Sequence, residues 1–379
     1  MLQLLLGGSG SGKTTLLYQR IRARAEKGEK SILLVPEQFT SSTEGRIYRE
    51  LGDALSGMVE SFSFTSLAEK ILSTEGGAAV QTLSDAGRAV LVRRALEELQ
   101  DNVHYYHRHR RSAAFCQMAA QTIDELKSAG LSGQQLAQLA GACGAESGKL
   151  SELALIFQGY ETLLARSGMD PSDRLELAGA QLEEALARHS LPEFLRDRAV
   201  FIDEFDTFNA PKKRLLGAML AALPSVTVAL CDDGAPLLPG DLSLFSGAKQ
   251  VAAQLRQLAR KNGAEVAVPQ LLRKDLRHRN APGLAAVAEL LETGSCTADA
   301  PAGEVRLFAA PSREEEARAA AGAIRRLMRQ GVRCGKIAVV CRDIAKYRAA
   351  VRYEFRMAEI PLYCDEPTTP EFSAPATAV

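Results

Sequence analysis

Residues 7–15 read Gly-Gly-Ser-Gly-Ser-Gly-Lys-Thr-Thr, which contains the complete pattern Gly-x4-Gly-Lys-Thr of a phosphate-binding P-loop. An apolar run at residues 2–6 precedes the pattern, and a stretch with helical character at residues 16–25 follows it. Glycines let the backbone curl so that successive N–H groups point at phosphate oxygens, and the following helix adds its positive N-terminal end. The stretch therefore predicts a strand, a nucleotide-binding loop and a helix, which together are typical of an α/β fold.

The residue types in this loop predict separate parts of a nucleotide site. We expect Lys13 to reach the β- and γ-phosphates of ATP, and Thr14 to offer its hydroxyl oxygen to Mg²⁺. Backbone groups of the other loop residues would contact the phosphates, and these residues are Gly7, Gly8, Ser9, Gly10, Ser11, Gly12 and Thr15. The alternative is a turn rich in Gly and Ser that binds nothing, which the flanking strand and helix patterns disfavour.

A partner carboxylate for the P-loop lies in the stretch Val200-Phe-Ile-Asp203, an apolar run that ends in an acid. In P-loop enzymes an acid at the end of such a strand holds Mg²⁺, so Asp203 is the second predicted metal ligand. Glu204 follows directly and is the candidate catalytic base that would polarise an attacking water. Two alternatives stay open: Asp203 as a helix cap after a buried strand, and Glu204 as a carboxylate without a catalytic role.

The composition of the chain limits which nucleic-acid, membrane and metal-binding functions we expect. The chain has 46 basic and 46 acidic residues, so contact with nucleic acid must depend on local basic patches rather than on a global field. No apolar run is long enough to cross a bilayer, and no Cys-x-x-Cys pair suggests a zinc or iron–sulfur site. We therefore expect a cytoplasmic protein without a membrane partner.

The hydrophobic patterns divide the chain into four segments, 1–83, 84–195, 196–290 and 291–379. The first and third alternate between strand and helix patterns, and the second has the 3.6-residue period of helices. We interpret the first and third as one α/β lobe that holds the P-loop and Asp203, and the second as a helical insertion. The fourth begins another α/β unit. The predicted strands lie at residues 2–6, 31–35, 59–64, 199–202, 226–230, 304–309 and 336–340.

Basic residues gather in two places. The stretch His104-Tyr-Tyr-His-Arg-His-Arg-Arg111 interleaves tyrosines, which can stack on bases, with Arg108, Arg110 and Arg111, which can neutralise phosphates. We predict a DNA contact here, and the alternative is a solvated linker between two helices. The second cluster comprises Arg273, Lys274, Arg277 and Arg279. Similarity to motor helicases, in which a nearby region supplies an arginine to the γ-phosphate, would give one of these residues that role.

The order of these motifs fits the core of a superfamily 1 helicase, in which a helical insertion interrupts a RecA-like lobe. More specifically, the chain resembles the AddB subunits of bacterial AddAB helicase–nucleases over nearly its whole length. The run Leu33-Leu-Val-Pro-Glu-Gln38, shortly after the P-loop, is the most diagnostic motif. The resemblance also rests on the P-loop itself and on five further motifs: Ser61-Phe-Ser-Phe-Thr-Ser-Leu67, Asp124-Glu-Leu-Lys127, Phe201-Ile-Asp-Glu-Phe205, Lys336-Ile-Ala-Val-Val-Cys-Arg-Asp343 and Ile360-Pro-Leu.

The resemblance implies an ATP-binding, helicase-like P-loop NTPase region that acts beside an AddA-type motor subunit. It implies single- and double-stranded DNA as partners in the processing of double-strand breaks, and a channel in which one strand is scanned for the Chi sequence. It also implies that Gln38 lies in a segment that contacts single strands. The nuclease domain and its iron–sulfur cysteines would lie beyond this chain, so we expect a piece of a longer protein without nuclease activity of its own.

Two alternative functions stay open. The first is an active superfamily 1 helicase with Glu204 as catalytic base, which would require a complete second lobe. The second is a non-enzymatic scaffold whose nucleotide only stabilises the fold. The resemblance leaves ATP hydrolysis open, because many AddB subunits carry glycine after the acid that corresponds to Asp203, whereas this chain carries Glu204.

Overall fold

The computed structural model describes residues 1–75, 82–109, 111–144, 147–295 and 304–365. The chain divides into two compact units, Met1–Ala300 and Pro301–Val379. Among the described residues, no helix has both the length and the apolar character needed to cross a membrane.

The first unit is built around a six-stranded parallel sheet, which confirms the predicted α/β class. Its strands are β1 (Leu2–Gly7), β2 (Ser31–Leu34), β3 (Val59–Phe62), β4 (Ala199–Ile202), β5 (Ser225–Cys231) and β6 (Gln270–Leu272). They follow the spatial order β3-β2-β4-β5-β1-β6. The first five match the apolar runs predicted in this unit, whereas the short edge strand β6 was not predicted.

Helices cover both faces of this sheet, which explains why its central strands are apolar at successive positions. Leu4 and Leu6 of β1 face one core, whereas Leu5 faces the other, because neighbouring side chains on a strand alternate in direction. The helices associated with the sheet are α1 (Lys13–Ala25), α2 (Thr40–Leu51), α3 (Asp53–Ser56), α4 (Phe64–Glu75), α10 (Ala210–Ala222), α11 (Ser246–Lys261) and α12 (Pro282–Thr293).

A separate helical layer interrupts the sheet between β3 and β4, as the 3.6-residue period predicted. Its helices are α5 (Asp85–Glu98), α6 (Ala113–Ser128), α7 (Gly133–Ala140), α8 (Ser147–Ser167) and α9 (Pro171–Ala187). The layer has its own core, which includes Val92, Ile123, Phe157 and Tyr160. The last of the helices, α9, instead contributes Leu175 and other side chains to the core of the sheet.

A buried ion cluster joins α6 and α8 to the start of α9. The Lys127 ammonium donates to Asp170 and Asp173, each at 2.8 Å, and the Tyr160 hydroxyl donates to Asp170 at 2.7 Å. Because the Asp170 carboxylate is almost fully buried, it needs both donors to offset the loss of its hydration. Lys127 is the last residue of the motif Asp124-Glu-Leu-Lys127. This family motif therefore supplies a residue that holds α6 to α9.

The described part of the second unit is helical, with α13 (Arg313–Arg329) packed against α14 (Ile344–Met357). The strands predicted at residues 304–309 and 336–340 are wrong, because neither stretch is a strand in the described structure. A strand requires a hydrogen-bonded neighbour, and residues 304–365 supply no strand to pair with either stretch. Their apolar side chains accordingly stay exposed, as Leu307 and Val340 illustrate.

Candidate nucleotide-binding site

The P-loop leaves the carboxyl end of β1 and enters α1 directly. Gly10 and Gly12 have φ values of 77° and 90°, a left-handed region that favours glycine. No side chain caps the first turn of α1, and that turn contains no acidic residue. Its N–H groups therefore point into the loop with the positive end of the helix, which is the arrangement that binds anions.

The Lys13 side chain folds back over this loop. Its ammonium group donates to the carbonyl oxygens of Gly7 and Gly8, each at 2.8 Å. Burial lowers the pKa of Lys13, while the nearby Asp203 and Glu292 carboxylates oppose that shift. The two carbonyl oxygens hold the Lys13 ammonium group against the loop.

Asp203 lies at the same edge of the sheet, directly after β4. Its carboxylate is 6% exposed and accepts hydrogen bonds from the Thr14 hydroxyl and, at 3.0 Å, from the Glu204 backbone N–H. Burial raises the pKa of Asp203, although these two hydrogen bonds and the Lys13 charge favour its ionised form. Because β5 lies between β4 and β1, the sheet order brings Lys13, Thr14 and Asp203 together from distant parts of the chain.

Glu204 is exposed beside Asp203 and adopts a left-handed backbone, with φ of 65°. Burial and the Asp203 charge raise the pKa of Glu204, and the Arg46 guanidinium opposes this shift. Arg46 lies on α2 and its guanidinium stacks over the Tyr18 ring at 5.0 Å. Sequence reasoning missed Arg46, because nothing in the pattern of α2 signals that it faces the end of β4.

A turn that follows β6 covers the outer side of the P-loop. The Leu276 N–H donates to the Gly10 carbonyl oxygen at 3.0 Å, and the Arg277 guanidinium donates to the Ser9 hydroxyl at 3.1 Å. A Cβ added to Gly10 would lie 2.6 Å from the Arg277 Cβ, so the close approach requires glycine there. Arg277 is thus the member of the predicted basic cluster for which the structure shows contact with the P-loop. The other members are Arg273, Lys274 and Arg279.

The carboxyl end of α12 brings an acid to the same place. A Cβ added to Gly8 would lie 2.7 Å from a carboxylate oxygen of Glu292. The predicted division between residues 290 and 291 falls inside α12, which belongs to the first unit. Glu292 was therefore missed, because it was assigned to the segment after the one that holds the P-loop and Asp203.

The predicted DNA-contacting residues lie in two places. Gln38 is exposed in a short 3₁₀ turn just after β2, at the edge of the sheet that carries the P-loop. Arg108 and Arg111 are exposed on the connection between α5 and α6 in the helical layer. Arg110 lies outside the described residues.

Comparisons with known proteins agree with one another. The model of the family described as "ADDB, N-terminal" matches residues 4–288. A B-type subunit of an ATP-dependent helicase/deoxyribonuclease from Desulforudis audaxviator is 33% identical over 378 residues, which cover 96% of this chain and 32% of that protein. The corresponding subunits from Symbiobacterium thermophilum and Moorella thermoacetica are each 32% identical, over 97% and 96% of this chain. The chain spans about a third of the length of these curated relatives.

Proposed function

Because this chain belongs to the ADDB N-terminal family, we propose that it is the ATP-binding, helicase-like N-terminal part of an AddB-type subunit. It would act with an AddA-type motor in the processing of double-strand DNA ends for recombinational repair. The observation that carries this proposal is the convergence of Lys13, Thr14 and Asp203 at one edge of a parallel sheet. The order of the strands fits a RecA-like P-loop lobe, which supports the assignment.

The residues of the loop fit a magnesium–nucleotide ligand. Within the described part of the chain, the Ser11 hydroxyl oxygen is buried without a hydrogen-bond partner, and the Lys13 ammonium bonds to the carbonyl oxygens of Gly7 and Gly8. Phosphate oxygens would provide acceptors for both groups and for the N–H groups of α1. The Thr14 hydroxyl and the Asp203 carboxylate are the hard oxygen ligands that Mg²⁺ prefers. Bound Mg²⁺–ATP would supply a hydrolysable phosphoanhydride bond.

Glu204 is the residue of this chain that would accept a proton from water. Its carboxylate is exposed next to Asp203, and its raised pKa moves it toward the range of a useful base. This placement favours the alternative of an active superfamily 1 helicase. Hydrolysis of ATP that single-stranded DNA stimulates, and that Glu204→Gln abolishes, would support that alternative.

A nucleotide-stabilised scaffold is the second alternative, and a different observation favours it. Leu276, Arg277 and Glu292 lie against the P-loop at Gly12, Gly10 and Gly8, so the loop contacts a distant part of the chain. A nucleotide held there would connect β1 to the segment that follows β6. In that case Lys13→Ala would weaken assembly with the AddA-type partner and leave DNA recognition unchanged.

Interaction with DNA is part of the main proposal. The names of the relatives as helicase/deoxyribonuclease subunits and the positions of Gln38, Arg108 and Arg111 support it. Guidance of a single strand past these residues, with recognition of the Chi sequence, is the role we propose for them. An iron–sulfur cluster would belong to the part of the relatives that this chain does not match.

Binding of a fluorescent ATP analogue in the presence of Mg²⁺ tests the nucleotide site. We expect the unmodified chain to bind, and Lys13→Ala to weaken binding by about 10-fold or more, since charged hydrogen bonds contribute about 1.5–3 kcal/mol. Lys27 lies on the exposed surface after α1, so Lys27→Ala is the matched control and should bind normally. Equal binding by both variants would contradict a working P-loop.

A further inference from the structure

One carboxylate anchors the first part of the connection between α5 and α6. Glu152 of α8 accepts hydrogen bonds from three successive backbone N–H groups, those of His104 at 2.8 Å, Tyr105 at 2.7 Å and Tyr106 at 3.1 Å. Such a row of N–H groups forms a concave site for an anion, and here the carboxylate fills it. Because α8 is anchored in the helical core, the loop is fixed to a rigid element.

This anchoring presents an aromatic ring to solvent. The Tyr105 side chain is 60% exposed, and the Tyr106 ring supports it edge-on, with ring centroids 5.0 Å apart. The Tyr106 ring in turn packs on Phe115, with centroids 5.2 Å apart. The Lys149 ammonium lies over the Tyr105 ring, 5.9 Å from its centroid, so a base would stack on the other face of the ring.

The arginines around this ring are available for phosphates. Arg108 and Arg111 are exposed, and neither pairs with a carboxylate among residues 82–109 and 111–144 or elsewhere in the described chain. The contrast with α5 is informative, because Arg93 and Arg94 each pair with a glutamate one turn away. Guanidinium groups without a partner carboxylate keep their full charge for an incoming polyanion.

We propose that this surface binds single-stranded DNA, with a base stacked on the ring of Tyr105 and with backbone phosphates neutralised by Arg108 and Arg111. A ring that projects from a rigid loop can stack on an unpaired base, whereas the bases of a duplex are already stacked on one another. Glu152 is a positioning residue, since it contacts the loop and not the DNA. The proposal rests on the proposed function and adds the base-stacking role of Tyr105 and the positioning role of Glu152.

The first test compares variants of the whole chain for binding to fluorescently labelled oligothymidine. Tyr105→Ala should weaken binding by about 10-fold, which is within the range for loss of one base–aromatic stack, and Tyr105→Phe should bind like the unmodified chain. Binding to a duplex should be equal in all three proteins. Met118 on α6 is 58% exposed in the same helical layer, so Met118→Ala is the matched control and should change nothing.

A second variant reports on stacking directly. The chain contains no tryptophan, so Tyr105→Trp carries its single indole. We expect oligothymidine to quench this fluorescence, because stacking on a base quenches an indole, and we expect a duplex to leave it unchanged. Quenching by both ligands, or by neither, would overturn the proposal.

The outcomes separate this inference from the proposed function. If the unmodified chain binds oligothymidine and Tyr105→Ala binds equally well, the inference is wrong and the DNA-guiding function stands. If the unmodified chain binds the ATP analogue but no DNA, both the inference and the DNA part of the proposed function fail, while the nucleotide site stands.

Discussion

The Arg277 guanidinium donates a hydrogen bond to the Ser9 hydroxyl at 3.1 Å, although 268 residues separate the two in the chain. The bond holds a permanent positive charge at the P-loop, near enough to the Lys13 ammonium that the Arg277 charge helps to lower the pKa of Lys13. Two cations beside one loop are suited to a ligand with several negative charges. The contact also ties the loop to the turn after β6, so nucleotide binding and the conformation of that turn are linked.

Arg277→Ala should lower affinity for a triphosphate more than for a diphosphate. The guanidinium is bonded to Ser9 of the loop, and we expect it to contact the terminal phosphate of a triphosphate. We expect about a 10-fold loss for the ATP analogue and little change for an ADP analogue, measured by fluorescence titration. Arg279 is exposed two residues further on, and Arg279→Ala serves as control. Tighter binding of both analogues by Arg277→Ala would instead mean that this side chain only covers the loop.

Glu292→Gln should strengthen nucleotide binding. The Glu292 carboxylate lies against Gly8, where it attracts Lys13 and would repel a phosphate. Removal of this negative charge beside the loop should raise affinity for the ATP analogue by about 5-fold. The gain should shrink at high salt, because salt screens the repulsion between the carboxylate and the phosphates. Glu265→Gln, at an exposed position before β6, is the control for a change in net charge. An unchanged or lower affinity in Glu292→Gln would show that the carboxylate does not compete with the ligand.

Asp203→Asn should stabilise the fold while it removes magnesium-dependent binding. Burial raises the pKa of Asp203, so the folded chain binds this proton more tightly than the unfolded chain does. Stability then falls as the pH rises from the unfolded pKa through the folded one, and the ionised carboxylate is a cost at neutral pH. The amide keeps an acceptor for the Thr14 hydroxyl and the Glu204 N–H.

Urea unfolding at two pH values measures this effect. At pH 7 we expect the free energy of unfolding of Asp203→Asn to exceed that of the unmodified chain by about 1 kcal/mol. The difference should shrink in acid, where the folded chain protonates Asp203. A destabilised variant at pH 7 would mean that hydrogen bonds outweigh burial at this carboxylate.

Two substitutions of Glu204 distinguish the strain of its backbone from its role as a catalytic base. Its φ of 65° costs a non-glycine residue about 1 kcal/mol, so Glu204→Gly should be as stable as the unmodified chain or slightly more stable. Glu204→Gln keeps this strain but removes a carboxylate whose pKa burial and the Asp203 charge raise, so it should be at least as stable as the unmodified chain at neutral pH. Both variants should lack any ATP hydrolysis that the unmodified chain shows, measured as phosphate release. Hydrolysis that survives in both variants would exclude Glu204 as the base.

Much of the sheet could be predicted from short apolar runs, because buried parallel strands are apolar on both faces. The edge strand β6 could not, since it has three residues and pairs with one side of β1 only. The strands predicted at residues 304–309 and 336–340 also rested on short runs rich in apolar residues, yet these stretches lack a partner strand in the described structure. An apolar run is therefore a necessary sign of a buried strand and not a sufficient one.

The sequence by itself determined the P-loop, because the glycines at positions 10 and 12 and the residues that begin α1 encode its backbone locally. Only the tertiary structure decided which side chains surround it. Asp203 reaches the loop through the order of the strands, and Arg277 and Glu292 reach it because β6 pairs with β1 and returns the chain to the same edge. Contacts between residues so far apart depend on how the strands pair and the helices pack, which no local pattern records.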